Sequence, residues 1–379
     1  MAEPAPNERP QNRELYSPYM KLINPCLIVL KFLGLYRGTN TRKWQGDLQL
    51  ALASSSSIAG FLILLTCLSH CSLDRLGEQR GIIGLTTTVW FGQTLCSQVV
   101  WLLQPCKLDE VDQHLTKATG QDGQRSQGRL VKHFRPTLFW FEFVFSLILG
   151  ISSLNHFTVL RPRWTVNSTW YGLHPPLLTP WMDVPGYLLV VYFNVVWACV
   201  FTLLTSTCFA LKLEFRHLNR KLENEPPETM TPELLTDHSR RHALLTEATR
   251  VTDEIFSRFA YGQFVCLLPL IVCSGFMLFL VYQSDTTAEF IGTAAGCIIL
   301  VKIAASLNWF PTMVTEEARE VRNVLRRKFN CGEQFRPFRE AELREQVRWL
   351  SSQAEEPIGI TAAGLFLITR ATVLTEPLH

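Results

Sequence analysis

The sequence predicts an all-α integral membrane protein with six to seven transmembrane helices, cytosolic helical extensions and an internal N-terminus. Three observations carry that prediction. The apolar residues, 47% of the chain, are gathered into long blocks almost free of charge. The basic residues fall on alternate loops between those blocks. The longest of those loops carry helix start signals instead of turn-rich composition.

The blocks are residues 48–69, 81–104, 136–154, 184–211, 260–283 and 290–310. A helix needs roughly 20 apolar residues to cross a hydrocarbon core, and each block is close to that length or beyond it. Four hold no charged side chain; the third holds Glu142 and the sixth Lys302. Buried helices of soluble proteins seldom run so long without a polar face. Ahead of them, residues 1–47 form a cytosolic N-terminus whose stretch 23–36 is apolar, short and interrupted by Lys31. It lacks the small-residue cleavage site of a signal peptide and reads as a short interfacial helix.

Charge sets the orientation. Lys and Arg number 7 before the first span, 6 in 105–135, 8 in 212–259 and 9 in 311–356. The intervening loops 70–80, 155–183 and 284–289 hold 2, 2 and 0. These loops are short enough for the positive-inside rule, so the basic side is cytosolic. The arrangement excludes a G-protein-coupled receptor, whose N-terminus lies outside. It also explains a net charge of +3 without nucleic acid as a partner. The sequon at Asn167 falls in an external loop, which makes it the expected glycosylation site.

The fourth span is expected to continue into the cytosol through 212–222 and stop before Pro226-Pro227. Thr231-Pro232 then caps a new helix, which runs into the fifth span without a breaker. These form a cytosolic helical pair packed through Leu234, Leu244, Val251, Ile255 and Phe259. In 311–356, Val314, Ala318, Val321 and Leu325 share one helical face, as do Leu343, Val347 and Leu350. Residues 48–310, loop 212–259 included, thus make a membrane domain, and 311–379 hold anchor helices and a seventh candidate helix. That candidate, 357–375, starts with Pro357 after Glu355 and Glu356 and carries Arg370.

Catalytic signatures are missing: no Gly-rich phosphate loop, no Gly-x-Ser-x-Gly and no His-Glu-x-x-His. No enzyme activity, metal or other cofactor is expected. His238 and His242 form an i,i+4 pair in a charged stretch and read as solvated. The eleven cysteines show no paired spacing and serve as small hydrophobes within spans. Polar residues at membrane depth are costly and usually face a bundle interior or a wet cavity. These are Glu142, Asn194 and Lys302, with Lys302 able to snorkel inward or to pair with Glu142. Gly292 and Gly296 present a small-xxx-small face for close packing. Trp90, Phe145, Tyr187, Tyr192, Phe279 and Tyr282, with Thr86, Thr87 and Thr293, populate the outer parts of the spans. An apolar lining with a few polar contacts suits a small ligand, which makes this set the ligand-binding candidates. The competing reading is packing and an interfacial aromatic belt.

Three stretches resemble the insect gustatory and odorant receptor superfamily. They are Asn24-Pro25 leading to Leu33-Gly34-Leu35, then Val251-Thr252-Asp253-Glu254-Ile255-Phe256-Ser257, and Gly364-Leu365-Phe366-Leu367-Ile368-Thr369-Arg370. The last resembles the gustatory form through Gly364, Phe366, Thr369 and Arg370. The resemblance implies a chemosensory, ligand-gated cation channel at the plasma membrane, assembled as a homo- or hetero-tetramer and gated by a small-molecule tastant. It implies an outward-facing ligand pocket among the first six spans and a central cytosolic anchor. A pore lined by the last half of the seventh helix follows from the same likeness. In that family a Thr-Tyr pair and a Gln follow this motif, whereas here the sequence runs to Thr375-Glu376-Pro377-Leu378-His379. Either the pore-lining half is absent from this chain, or 357–375 itself crosses the membrane with Arg370 inside it. The alternative function is a non-conducting subunit that assembles with full-length relatives.

Overall fold

The computed structural model describes residues 17–36, 43–70, 79–103, 107–119, 180–226, 229–282, 287–330, 339–353 and 358–369. Eight helices are seen there: α1 (Pro18–Phe32), α2 (Lys43–His70), α3 (Gln79–Leu103), α4 (108–119), α5 (Pro180–Asn224), α6 (Pro232–Tyr282), α7 (Thr287–Asn330) and α8 (Arg339–Gln353). Two short strands follow, β1 (Thr361–Ala362) and β2 (Phe366–Leu367). Five of the expected apolar blocks fall on α2, α3, α5, α6 and α7, while 136–154 lies outside the described residues.

Local chemistry fixes the helix ends. Ser17 caps α1, its hydroxyl accepting the Met20 N–H at 3.1 Å, with Pro18 in the first turn. At the other end Gly34 adopts φ 81°. The Leu35 N–H then reaches the Leu30 carbonyl at 2.8 Å and the Gly34 N–H the Lys31 carbonyl at 3.1 Å. That is a Schellman stop, and it accounts for the Leu33-Gly34-Leu35 stretch. Leu22, Ile23, Leu27 and Leu30 of α1 are buried against the bundle, whereas Phe32 is 89% exposed. Thr231 caps α6, taking the Leu234 N–H on its hydroxyl at 3.3 Å. From there α6 runs 51 residues without a break, through Pro269.

Helices α5 and α7, of 45 and 44 residues, share this length. At 1.5 Å per residue they span about 65 Å, roughly twice a hydrocarbon core. Each therefore combines an apolar crossing with a polar extension. The stretches Val191–Asn224, Pro232–Phe276 and Gly296–Lys328 are long and apolar enough to cross a membrane. Of their most apolar windows, 78% is buried inside the chain for α5, against 33% for α6 and 29% for α7. Helix α5 is thus the central post, packed on α1, α3, α6 and α7. Helix α6 turns a stripe of Val265, Leu268, Val272, Phe276 and Phe279 outward, at helical spacing.

The core runs unbroken from the crossing part of the bundle into the extensions. Trp197, Leu204, Leu211, Phe215, Val251, Ile255, Phe259, Val314 and Ala318 belong to one buried cluster. A second gathers Leu222, Met230, Leu235, Val321, Leu325 and Leu350 where α5, α6, α7 and α8 converge. The expected helical pair is present, although Leu235 and Leu245 are its fully buried leucines while Leu234 and Leu244 sit at its edge.

Three expectations need correction. His238 and His242 are not solvated; they are 2% and 0% exposed. Their positions fall on the α6 stripe that also carries Leu235, Ser239, Leu245 and Thr249, so one buried face runs through a hydrophilic sequence. His242 donates from Nε2 to the Ala318 carbonyl at 3.2 Å and meets Phe215 edge-on at 5.5 Å. Burial lowers the pKa of both rings, that of His238 to about 4. Gly296 faces open space, so the small-xxx-small face makes no close contact there within the chain.

The third correction concerns the seventh candidate helix. Residues 358–369 form a β-hairpin, with Thr361 opposite Leu367 and Ala362 opposite Phe366. Ile358, Ile360 and Ala362 alternate into the core, which is the strand period. Ala363 and Gly364 take φ 52° and 74°, and the Leu365 N–H closes on the Ala362 carbonyl at 3.0 Å. Ala363, Gly364 and Leu365 thus make a tight three-residue turn with positive φ at its first two positions, which no helix accommodates. Arg370 and the following residues lie outside the described set.

Candidate functional site

Among the described residues, a buried polar network lies where α3 faces α5 and α6. Trp90 of α3 donates its indole N–H to Asn194 Oδ1 of α5 at 3.0 Å. Its ring lies 5.5 Å from that of Trp197, one turn along α5, at 56°. Trp197 stacks on Phe201 at 5.5 Å and donates its own N–H to Gln263 Oε1 of α6 at 2.8 Å. That same oxygen accepts from Gln93 Nε2, and Gln263 Nε2 donates to Ser97 Oγ at 3.1 Å. Ser97 in turn donates to the Gln93 carbonyl at 2.7 Å. One amide on α6 therefore ties three helices together. Gln93, Ser97 and Gln263 are almost fully buried, and unpaired amides at this depth would cost several kcal/mol each.

A second polar knot lies one turn along α3. Gln98 Nε2 sits 2.9 Å from Ser56 Oγ and 3.0 Å from the Ala53 carbonyl of α2, and 3.3 Å from the Tyr192 hydroxyl of α5. Tyr192 also reaches the Leu33 carbonyl, at the end of α1, at 3.4 Å. Between the knots the rings of Phe91, Phe193 and Tyr192 meet edge to face at 5.3 and 5.5 Å. The side-chain oxygens of Gln93 and Gln98 are buried without a hydrogen-bond partner. The approach of α2 to this cluster depends on Gly60. A Cβ there would sit 2.5 Å from Phe193 Cζ and 3.1 Å from Leu95 Cδ1.

Of the residues singled out in the sequence, the structure brings together Trp90, Tyr192 and Asn194. Phe279 stands 59% exposed on the outward stripe of α6. Thr86, Thr87, Tyr187, Tyr282 and Thr293 lie on α3, α5, α6 and α7, with side chains outside the described set. Glu142, Phe145 and Asn167 lie outside the described residues. Lys302 is exposed on α7. Gly364 forms the hairpin turn and Phe366 lies on β2, with Thr369 just beyond it. Sequence reasoning missed Gln93, Ser97, Gln98, Trp197 and Gln263. The available signal was three glutamines inside apolar blocks, where an amide needs a partner almost as much as a charge does. Among the described residues, no group of three His, Cys, Asp or Glu side chains could hold a metal.

Comparison with protein-family models and with curated protein sequences finds no match. Comparison with solved structures identifies the architecture: the chain has the all-α membrane fold of the insect olfactory receptors. It superposes on the structure of the insect olfactory receptor OR5 from Machilis hrabei with a TM-score of 0.68 at 13% identity, covering 94% of this chain and 95% of that one. Against the same receptor in complex with eugenol the TM-score is 0.64 at 14% identity, again over 94% and 95% of the two chains. The resemblance seen in three short sequence stretches is borne out in the fold.

Proposed function

We propose that this protein is a chemosensory receptor of the gustatory type, a ligand-gated non-selective cation channel that senses a small extracellular molecule. The observation that carries this reading is the cluster of Trp90, Asn194, Trp197 and Tyr192, an aromatic wall with a few polar groups at membrane depth. Such a lining suits a ligand with an apolar or aromatic body. The unpartnered oxygens of Gln93 and Gln98 favour one that also offers a hydrogen-bond donor. Support comes from the shared fold with OR5, whose structure has been determined in complex with eugenol. The distribution of basic residues supports a cytosolic N-terminus and cytosolic helical extensions, and a receptor for an extracellular molecule belongs at the plasma membrane. The extensions of α5, α6 and α7 with α8 then form the anchor of a homo- or hetero-tetramer, and Asn167 is glycosylated outside.

The test is to express the chain in heterologous cells and record current while applying a ligand panel that includes eugenol. A ligand-evoked cation current is expected, with Trp90→Ala shifting the half-maximal concentration at least about tenfold, the loss of one good contact. A surface-delivered protein that stays silent alone and together with conducting relatives overturns the reading. A non-conducting subunit is the second reading, favoured by the apolar junction of α8 with α6 and α7, beside which Trp349 is 49% exposed. Co-purification with a conducting receptor of this fold would support it, and strictly monomeric protein would sink it.

A further inference from the structure

Two of the stretches that carried the resemblance, 251–257 and 364–370, are far apart in sequence but belong to segments that meet in space. Asp253 of α6 accepts the backbone N–H of Thr361, 108 residues later, at 2.6 Å. The Thr361 hydroxyl lies 3.0 Å from both carboxylate oxygens. With its single proton directed at the carboxylate, that hydroxyl is free to accept the Gly364 N–H at 3.0 Å across the turn. One turn further along α6, the Ser257 carbonyl accepts the Ala363 N–H at 3.0 Å. On the opposite side Gly359 lies against α7. A Cβ at that position would collide with Thr315 Oγ1 and approach Leu367 Cδ1 to 2.7 Å. The hairpin is thus gripped by hydrogen bonds on α6 and by close contact on α7.

Two-residue strands do not hold a hairpin in shape by themselves. The ladder here is completed by the Ile368 N–H on the Ile360 carbonyl at 3.0 Å. The remaining order comes from the buried Ile358, Ile360, Ala362 and Ile368, and from Asp253. The Asp253 carboxylate organises both the strand end, through the Thr361 N–H, and the turn, through the Thr361 hydroxyl. A charged acceptor makes each of these bonds stronger than a neutral one would.

We propose that Asp253 is a positioning residue: its carboxylate seats the 358–369 hairpin on α6, so that a displacement of α6 is handed to that hairpin. The second clause rests on the ligand-gated reading above; the seating does not. Helix α6 carries Gln263, which bonds Trp197 of the candidate ligand cluster, on the same uninterrupted helix as Asp253. The hairpin and the aromatic cluster are therefore two attachments to one helix.

Hydrogen–deuterium exchange on the full chain in lipid nanodiscs tests both clauses. Without ligand, Asp253→Ala and Thr361→Val are each expected to speed exchange across 358–369 at least about tenfold while peptides from α3 and α5 stay unchanged. Thr361→Ser, which keeps the hydroxyl, is expected to behave as wild type. Unchanged protection of 358–369 in both Asp253→Ala and Thr361→Val overturns the seating. Eugenol is then added as the probe. In the wild type it is expected to alter exchange in α3, α5 and 358–369, and in Asp253→Ala in α3 and α5 only. A response at 358–369 that survives Asp253→Ala overturns the handover. A probe that alters no peptide counts against the chemosensory reading and the handover together, whereas the seating is judged on the ligand-free comparison.

Discussion

Replacing Gly60 by alanine probes the tightest contact in the crossing bundle. An added Cβ would stand 2.5 and 2.8 Å from two ring carbons of Phe193 and 3.1 Å from Leu95 Cδ1. Carbon atoms prefer separations of about 3.5–4.0 Å, so the overlap is about 1 Å. Phe193 has no room to retreat, being fully buried and held edge-on by Phe91 and Tyr192. The cheaper response is for α2 to move outward, which stretches the bonds from Gln98 to Ser56 and to the Ala53 carbonyl. Overpacking of this kind costs about 1–3 kcal/mol. Alanine regains about 1 kcal/mol over glycine in helix propensity. The net expectation is a loss of up to about 2 kcal/mol, read as a fall of up to roughly 2–3 °C in the melting temperature of the purified protein. Phe193→Leu opens space at the point of collision, so the double variant Gly60→Ala/Phe193→Leu is expected to lie above the sum of the two single effects. A Gly60→Ala protein more stable than the wild type by the full propensity gain of about 1 kcal/mol, or strictly additive variants, would refute the close approach of α2 to α5.

Gln263→Leu leaves the Trp197 and Gln93 donors and the Ser97 hydroxyl short of a partner, and is expected to cost about 1–3 kcal/mol and to lower surface expression; thermal stability of the purified protein checks it. Ala363→Asn places Asn-Gly at the two left-handed positions of the turn and removes an unfavourable left-handed alanine, so slower exchange at the Leu365 and Ile368 amides is expected, for a gain of about 1 kcal/mol. His238 lies in the α6 extension, before the span at 260–283, and burial holds its folded pKa at about 4 against the ordinary 6.5. The unfolded chain then binds the extra proton first, so this contribution to stability is complete above about pH 6.5 and is lost as pH falls toward 4, by about tenfold per unit in the folded-to-unfolded ratio. Melting temperatures measured across that range should show the slope in the wild type and a shallower one in His238→Leu.

Legibility from sequence followed how local each determinant is. Ser17-Pro18, Leu33-Gly34-Leu35 and Thr231-Pro232 act within one helical turn, and the structure uses Thr231-Pro232 as its sequence implies. The apolar blocks on α5, α6 and α7 are equally direct, since composition over about 20 residues decides them. His238 and His242 were misleading because their neighbours are charged. Only the spacing of Leu235, His238, His242 and Leu245 betrays the buried face, and its partners Phe215 and Ala318 come from other helices. The hairpin was hidden for a different reason. Pro357 after two glutamates imitates a helix start, while the competing alternation of Ile358, Ile360 and Ala362 is short and ends in Ala363-Gly364. In the site, attention to charge found Asn194 through its polarity but passed over Gln93, Gln98 and Gln263, whose pairing is set entirely by tertiary neighbours.

Pro269 gives the long α6 a pivot. Its missing N–H leaves one rung of the helix open, and bending there is cheaper than anywhere else along the crossing part. Gln263 lies close to that point, about 9 Å along the axis, whereas Asp253 lies about 24 Å away. The two attachments thus sit on a short and a long arm of the same lever. A tilt of about 10° that moves Gln263 by roughly 1.5 Å carries Asp253 by about 4 Å at that rise per residue. A small rearrangement among aromatic rings would reach the hairpin magnified between two and three times.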